Sequence, residues 1–214
     1  MPTLLHLDSS ADQLTSRSRA ITRTLADAWR DAAKDRVVVY RDLHAEPLPH
    51  LPDASLHWPT RLRASNPPEW AANLQAQLIE ELLHADAVVI GVPLYNYSMP
   101  STLKAWIDYI HVPGLTAPFD VPTQPLAGRP VVIVSTRGGV YDPGTPTDGW
   151  DHALPPLELI LGRALGMSIT KIISNLTLAE TVPTMHDQIG RSREELADAL
   201  ATAALAGRSL SESP

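Results

Sequence analysis

The sequence predicts an α/β fold, a doubly wound parallel sheet of five strands with helices on both faces. Three observations predict it. Short apolar runs alternate five times with stretches of helical periodicity, a pattern that requires right-handed crossovers and a sheet covered on both sides. The run Val88-Val89-Ile90-Gly91-Val92 carries no polar side chain, as befits a strand buried on both faces. Polar, aromatic or glycine-rich turns follow the first, third and fourth runs, at the carboxyl edge where open α/β sheets hold their ligands.

The elements follow in order. Residues 3–7 form the first strand, which ends in Asp8-Ser9-Ser10. Thr15-Ser16-Arg17-Ser18 precedes a helix reaching about Lys34, with Ile21, Leu25, Ala28 and Trp29 on one face by their three- and four-residue spacing. Residues 37–40 are the second strand. The pattern then breaks over residues 44–68, where proline stands at 47, 49, 52, 59, 67 and 68. Leu48, Leu51, Leu56 and Trp58 still give this excursion something to bury, so it reads as a lid, binding loop or interface segment. A helix over 70–83 leads into the third strand, which Pro93 ends because it has no N–H to donate. After the turn Leu94-Tyr95-Asn96-Tyr97, Pro100-Ser101 launches a helix over 101–112. Residues 113–128 are a second excursion, holding the only phenylalanine, Phe119. The fourth strand, 130–134, runs into Ser135-Thr136-Arg137-Gly138-Gly139. Beyond a loop over 140–150, Leu154, Leu157, Leu161 and Leu165 predict a helix over 151–165, since Pro155-Pro156 sits near its start, where proline is tolerated. A fifth strand over 169–173 and a helix over 187–205 complete the pattern. With no repeat and no shift in composition, residues 1–206 are expected to form one domain and 207–214 a frayed polar tail.

Composition narrows the function. The 214 residues are 44% apolar, enough for one substantial core. The net charge of -7 argues against nucleic-acid or anionic-membrane partners, which select clustered Lys and Arg. The absence of cysteine excludes disulfides, thiolate metal sites and a cysteine nucleophile. No apolar run approaches the roughly 18 residues of a membrane span, and the N-terminus has no signal-peptide character, so a cytoplasmic protein is expected. The sequon Asn175-Leu176-Thr177 is then incidental. His44, His50 and His57 lack ligand spacing, so no metal is expected, and no G-x-S-x-G elbow is present.

Three loops would converge at the carboxyl edge. Ser16 and Ser18 stand where a helix begins; hydroxyls and free N–H groups there suit a phosphate monoester, although an ordinary Ser cap also explains them. The first loop has neither G-x-x-x-x-G-K-[ST] nor G-x-G-x-x-G. Leu94-Tyr95-Asn96-Tyr97 supplies apolar and aromatic surface for a flat ring, while Gly138-Gly139 allows close backbone approach to a carbonyl edge. A phosphate socket, a ring platform and a carbonyl contact together describe a flavin mononucleotide (FMN) site.

The combination of Ser9-Ser10, Ser16-x-Ser18, Pro93-Leu94-Tyr95-Asn96-Tyr97-Ser98-Met99-Pro100 and Ser135-Thr136-Arg137-Gly138-Gly139 resembles the FMN-dependent NADH-azoreductases, flavodoxin-like NAD(P)H:quinone oxidoreductases. The continuations Leu103-Lys104-Ala105-Trp106-Ile107-Asp108 and Gly114-Leu115-Thr116 fit too. The resemblance implies a flavodoxin-like sheet of order 2-1-3-4-5. It implies FMN contacts at Ser10, Ser16, Arg17 and Ser18 around the phosphate, at Pro93, Leu94, Tyr95, Asn96 and Tyr97 along the ring, and at Thr136, Arg137, Gly138 and Gly139 on the pyrimidine side. It further implies a homodimer with active sites at the interface, a role for both excursions. Ala117, Phe119 and Tyr141 depart from the family's usual residues on the substrate side, where His152 is a further candidate. The expected reaction passes a hydride from NADH or NADPH to flavin N5 and on to a quinone or azo compound in ping-pong order. The backbone N–H of Asn96 is expected near N5 and those of Gly138-Gly139 near N1 and O2, with no side-chain acid or base. The rival reading is a flavodoxin-type electron carrier, against which the extra loops argue; a quinone or nitro reductase with little azo activity is a third.

Overall fold

The computed structural model describes residues 1–210, so residues 211–214 of the expected tail lie outside the described residues. Five strands, β1 (Thr3–Asp8), β2 (Val37–Asp42), β3 (Ala87–Pro93), β4 (Pro130–Thr136) and β5 (Ser168–Ser174), pair in parallel in the order β2-β1-β3-β4-β5. The predicted doubly wound sheet is what forms. All seven residues of β3 are buried, because it lies at the centre of the sheet with helices on both faces.

Successive side chains of a strand point to opposite faces, and the core divides accordingly. Leu5, Leu7, Val88, Ile90, Val131 and Ile133 face α2 (Glu69–His84), α3 (Ser101–Ile110) and α4 (Leu154–Leu157). Leu4, Val89, Val132 and Val134 face α1 (Arg17–Asp31) and α5 (Ile189–Ser209). His6 and Asp8 share this second face, 5% and 2% exposed. Gly91 makes room there, since a Cβ would stand 2.7 Å from Asp8 Oδ1.

Several boundaries depart from expectation. α1 stops at Asp31 rather than near Lys34, and α3 at Ile110 rather than Val112. The four leucines expected on the helix over 151–165 are all buried, but α4 passes into a π-helical turn at Glu158–Ala164, where Leu165 N–H donates to Ile160 O at 2.9 Å. α5 runs to Ser209, so residues 207–209 are helix and not tail. Gly207 is buried against α1 at a distance from Leu25 O that only a residue without Cβ can occupy. The first excursion holds two short 3-10 turns, Ala54–His57 and Thr60–Leu62. It is moored by Gln75 of α2, whose Nε2 donates to Leu56 O at 2.8 Å and Tyr109 O at 3.1 Å.

Candidate active site

The three loops do converge. A cavity of about 280 Å³ at the carboxyl edge is lined by Ser10, Ser16 and Arg17, by Pro93 and Tyr95, and by Thr136. The fifth strand's loop also reaches it, through Thr177, Leu178 and Thr181. That loop is carried in by Thr177 N–H donating to Arg137 O at 3.0 Å. Sequence reasoning missed these three residues, having treated Asn175-Leu176-Thr177 only as a sequon; Asn175 is itself buried at 6% exposure. Their signal was position alone, just after a strand's carboxyl end.

The first loop ends in hydroxyls and N–H donors at the start of α1. Ser16 caps α1, accepting from Arg19 N–H at 3.4 Å, and its Oγ lies 3.0 Å from that of Ser18. The Arg19 N–H is taken by this cap, which leaves those of Arg17 and Ser18 without an acceptor among the described residues, at the positive end of the helix dipole. The Arg17 side chain turns away, donating from Nη1 to Ser192 O of α5 at 3.2 Å, so its share of the socket is main-chain. Arg19, which the sequence did not single out, sets the loop's path. Its Nη2 donates to Ser10 O at 2.7 Å, while Nη1 and Nη2 grip Asp42 at 2.7 and 2.8 Å. Burial alone would raise the Asp42 carboxyl, but Arg19 and the N–H groups of Ala45 and His44 hold it down at about 2. Asp8 follows the same pattern, its burial outweighed by His6, Thr22 and Arg19, so that it stays below the ordinary carboxylate value.

The turn after β3 is a two-residue I′-type turn. Tyr95 and Ser98 exchange backbone hydrogen bonds of 2.9 and 3.0 Å, and Asn96 and Tyr97 have φ of 48° and 67°, the left-handed values such a turn demands. Asn tolerates that region and Tyr does so rarely. Among the described residues, no acceptor takes the N–H of Asn96 or Tyr97, leaving both donors available. Tyr95 crosses to the first loop, its hydroxyl accepting from Ala11 N–H at 3.0 Å and lying 3.2 Å from Ser10 Oγ. Leu94 N–H donates to Thr136 O at 2.8 Å, tying the turn to β4, and its side chain packs against the core rather than lining the cavity.

The fourth loop has the expected glycines in two different settings. A Cβ on Gly138 would meet Leu178 Cδ1 at 2.8 Å, whereas one on Gly139 would find nothing nearer than Tyr141 at 3.9 Å. At the first, only the half-exposed Leu178 side chain would have to shift; the second faces open space where a flat ring can approach. The Arg137 side chain is only 6% exposed and bonds to Asp151 Oδ2 at 2.5 Å, which commits it to the protein rather than to a ligand edge. On the substrate side, Tyr141 lies 6.4 Å from Tyr97 between ring centres; burial and Tyr97 push its phenol up, so it stays neutral. His152 is exposed and borders a second recess with Ser98, Met99 and Lys104. Neither Ala117 nor Phe119 lines the cavity. Ala117 is buried in the core at 3% exposure, and Phe119 is exposed against Trp58. Among the described residues no group of three or more His, Cys, Asp or Glu is placed to hold a metal, and no helix is long and apolar enough to cross a membrane.

A helix-start socket, free N–H donors at a left-handed turn and an open glycine edge form a matched set for FMN. This is a flavodoxin-like site on a flavodoxin-like sheet, and a family profile described as the flavodoxin-like fold matches residues 2–202. The chain belongs to the family of FMN-dependent NADH:quinone oxidoreductases. A relative of that name from Kineococcus radiotolerans is 50% identical over 212 residues, covering 98% of this chain and 100% of the relative. Another from Frankia casuarinae is 40% identical over 96% of this chain and 98% of its own. An azoreductase structure from Bacillus anthracis superposes with a TM-score of 0.81 at 20% identity, over 98% of this chain and 100% of that one. An FMN-dependent NADH-azoreductase from the same species, in complex with FMN, gives 0.79 at 16% identity over 99% and 100%; at such identities the likeness speaks for the fold.

Proposed function

We propose that this chain is an FMN-dependent NADH:quinone oxidoreductase, also active on azo compounds, in which reductant and acceptor occupy one pocket in turn. The observation that carries the reading is the meeting of Ser10, Ser16, Pro93, Tyr95 and Thr136 on one cavity beside a turn whose Asn96 and Tyr97 N–H groups are unengaged. Bound FMN supplies reversible two-electron chemistry between a nicotinamide and a quinone or azo compound. The protein's share is binding and electrostatics. Ser10, Ser16, Ser18 and the first-turn N–H groups would hold the phosphate. The Asn96 N–H would face flavin N5, and the Gly138 and Gly139 N–H groups would face N1 and O2, where preorganised donors stabilise added negative charge. Tyr97, Tyr141 and His152 lie on the side from which the substrates would enter, and one such open face supports ping-pong order. A nicotinamide reductant supports action in the cytoplasm.

A homodimer is part of the same reading. Trp58, Leu62, Leu115, Phe119 and Val121 are all at least 40% exposed, and Trp58 and Phe119 pack edge to face at 5.4 Å. Exposed apolar side chains of this kind support an association site, and a second copy would bring Phe119 to its neighbour's pocket.

The experiment is an absorbance scan of the purified protein with added FMN, then rapid mixing with NADH. Bound flavin bleached directly by NADH is the expected result. A protein that neither carries nor binds FMN would sink the proposal. One that binds FMN but stays yellow until a reductase is added would be an electron carrier.

A further inference from the structure

We infer that Arg137 and Asp151 form a latch that holds the left-handed turn at Tyr95-Asn96-Tyr97-Ser98 in place, as positioning residues for the donor face of the pocket. The latch is a matter of geometry; its consequence for the cofactor rests on the function proposed above.

The turn cannot hold itself. Tyr97 is a bulky side chain at φ 67°, a conformation that persists only where surroundings over-determine it. Two backbone bonds close the turn, and Tyr95, Asn96 and Tyr97 are all exposed, so little of its own packing offsets the strain. The restraint comes from residues 141–152. His152 N–H donates to Tyr97 O at 2.7 Å, and Ser98 Oγ donates to His152 O at 3.4 Å. The Tyr97 ring stands edge-on to Trp150 at 5.4 Å and 89°, with Tyr141 on another side.

That segment contains neither strand nor helix before Leu154, so it needs an anchor of its own. Arg137 supplies it. Rooted just past the end of β4 and almost wholly buried, its guanidinium meets Asp151 at 2.5 Å and Asp142 at 3.8 Å. Its centre lies 6.0 Å from that of the Tyr141 ring. One cation thus gathers both ends of the loop. Leu94 N–H on Thr136 O closes the circuit from the other side, leaving the turn fastened to β4 at two points.

The two carboxylate oxygens of Asp151 have separate duties. Oδ2 takes Arg137, while Oδ1 accepts from the N–H groups of Ala153 and Leu154 at 2.8 and 3.0 Å, an Asx-type turn leading into α4. Asparagine makes such side-chain-to-backbone turns as aspartate does, so Asp151→Asn keeps the bonds to Ala153 and Leu154 and removes the charge that the guanidinium grips.

Backbone amide exchange of the FMN-free protein tests the latch directly. In Asp151→Asn, exchange at the His152 and Ser98 amides should speed by about tenfold or more, with β3 amides unchanged, as local opening predicts. Asp142→Asn should leave these amides within about twofold, because its half-exposed carboxylate contributes little. If Asp151→Asn does not fold, Arg137→Lys, which keeps a charge but loses the planar fork, is read at the same amides. Unchanged exchange at His152 and Ser98 in the folded variant would overturn the latch. FMN titration by fluorescence quenching reads the consequence: if the competent turn falls to about a tenth of the population, the apparent Kd rises about tenfold. Faster exchange with unchanged FMN affinity would uphold the latch and remove the turn from the cofactor site, so the two readings fail separately.

Discussion

Arg19 shows how much a single side chain can organise. It joins the end of β2, through Asp42, to the carbonyl of Ser10 in the first loop. Asp42 also receives the N–H groups of His44 and Ala45, both at 3.0 Å, so the same carboxylate shapes the start of the first excursion. Its folded value of about 2 lies below the ordinary 3.8. The stabilisation is therefore fully present above about pH 4 and lost as pH falls through 2. At about 1.4 kcal/mol per unit, this is worth about 2 kcal/mol. Denaturant melts should show Asp42→Asn less stable than the parent by about that amount at pH 7, with the gap narrowing as pH falls toward 2. A gap that stays constant with pH would show that the pair does not act through its charge. In the sequence, Arg19 is one more basic residue on an amphipathic helix, and the end of β2 is a distant segment; only strand order brings them together.

At the scale of elements, the α1–α5 contact explains why the last helix outruns its expected end. Ala199, Ala203 and Gly207 are buried at four-residue intervals, giving a narrow side on which α1 can seat. A Cβ on Gly207 would collide with Leu25 O and stand 2.9 Å from Ala28 Cβ. Glycine near the end of a periodic stretch reads as a stop signal, and here it is a packing site inside the helix. Alanine is the better helix former by about 1 kcal/mol, yet Gly207→Ala should lower stability by roughly 1–3 kcal/mol through overpacking. Gly190→Ala, with nothing within 4 Å of its Cβ, should be neutral or stabilising. Thermal melts of the two variants decide it, and equal melting points would refute the close approach.

At the scale of the whole molecule, the two excursions act together. Arg61 of the first pairs with Asp120 of the second and also reaches Gly114 O at 3.5 Å, and Trp58 of the first packs on Phe119 of the second. On the dimer proposed above, light scattering should give a particle of twice the 23.2 kDa chain. Phe119→Asp, which places a charge in the apolar patch, should raise the dimer dissociation constant by about tenfold or more. An unchanged dimer in that variant would move the interface elsewhere on the surface.

The sequence by itself determined the five strands, the doubly wound class and the three loops of the site. Each rests on local physics: β-branched runs, helical periodicity, proline without a donor, and turn residues at strand ends. It also pointed to the turn Leu94-Tyr95-Asn96-Tyr97 as a whole, whereas the part expected of Asn96 came from the family resemblance. Only the tertiary structure decided what those side chains touch. The side chains of Arg137, Arg17 and Arg19 find their partners in Asp151, Ser192 and Asp42, while Thr177, Leu178 and Thr181 reach the cavity from a segment whose proximity depends on strand order. Main-chain geometry follows from local pattern, whereas the partner of a long charged side chain depends on which distant element the fold sets beside it.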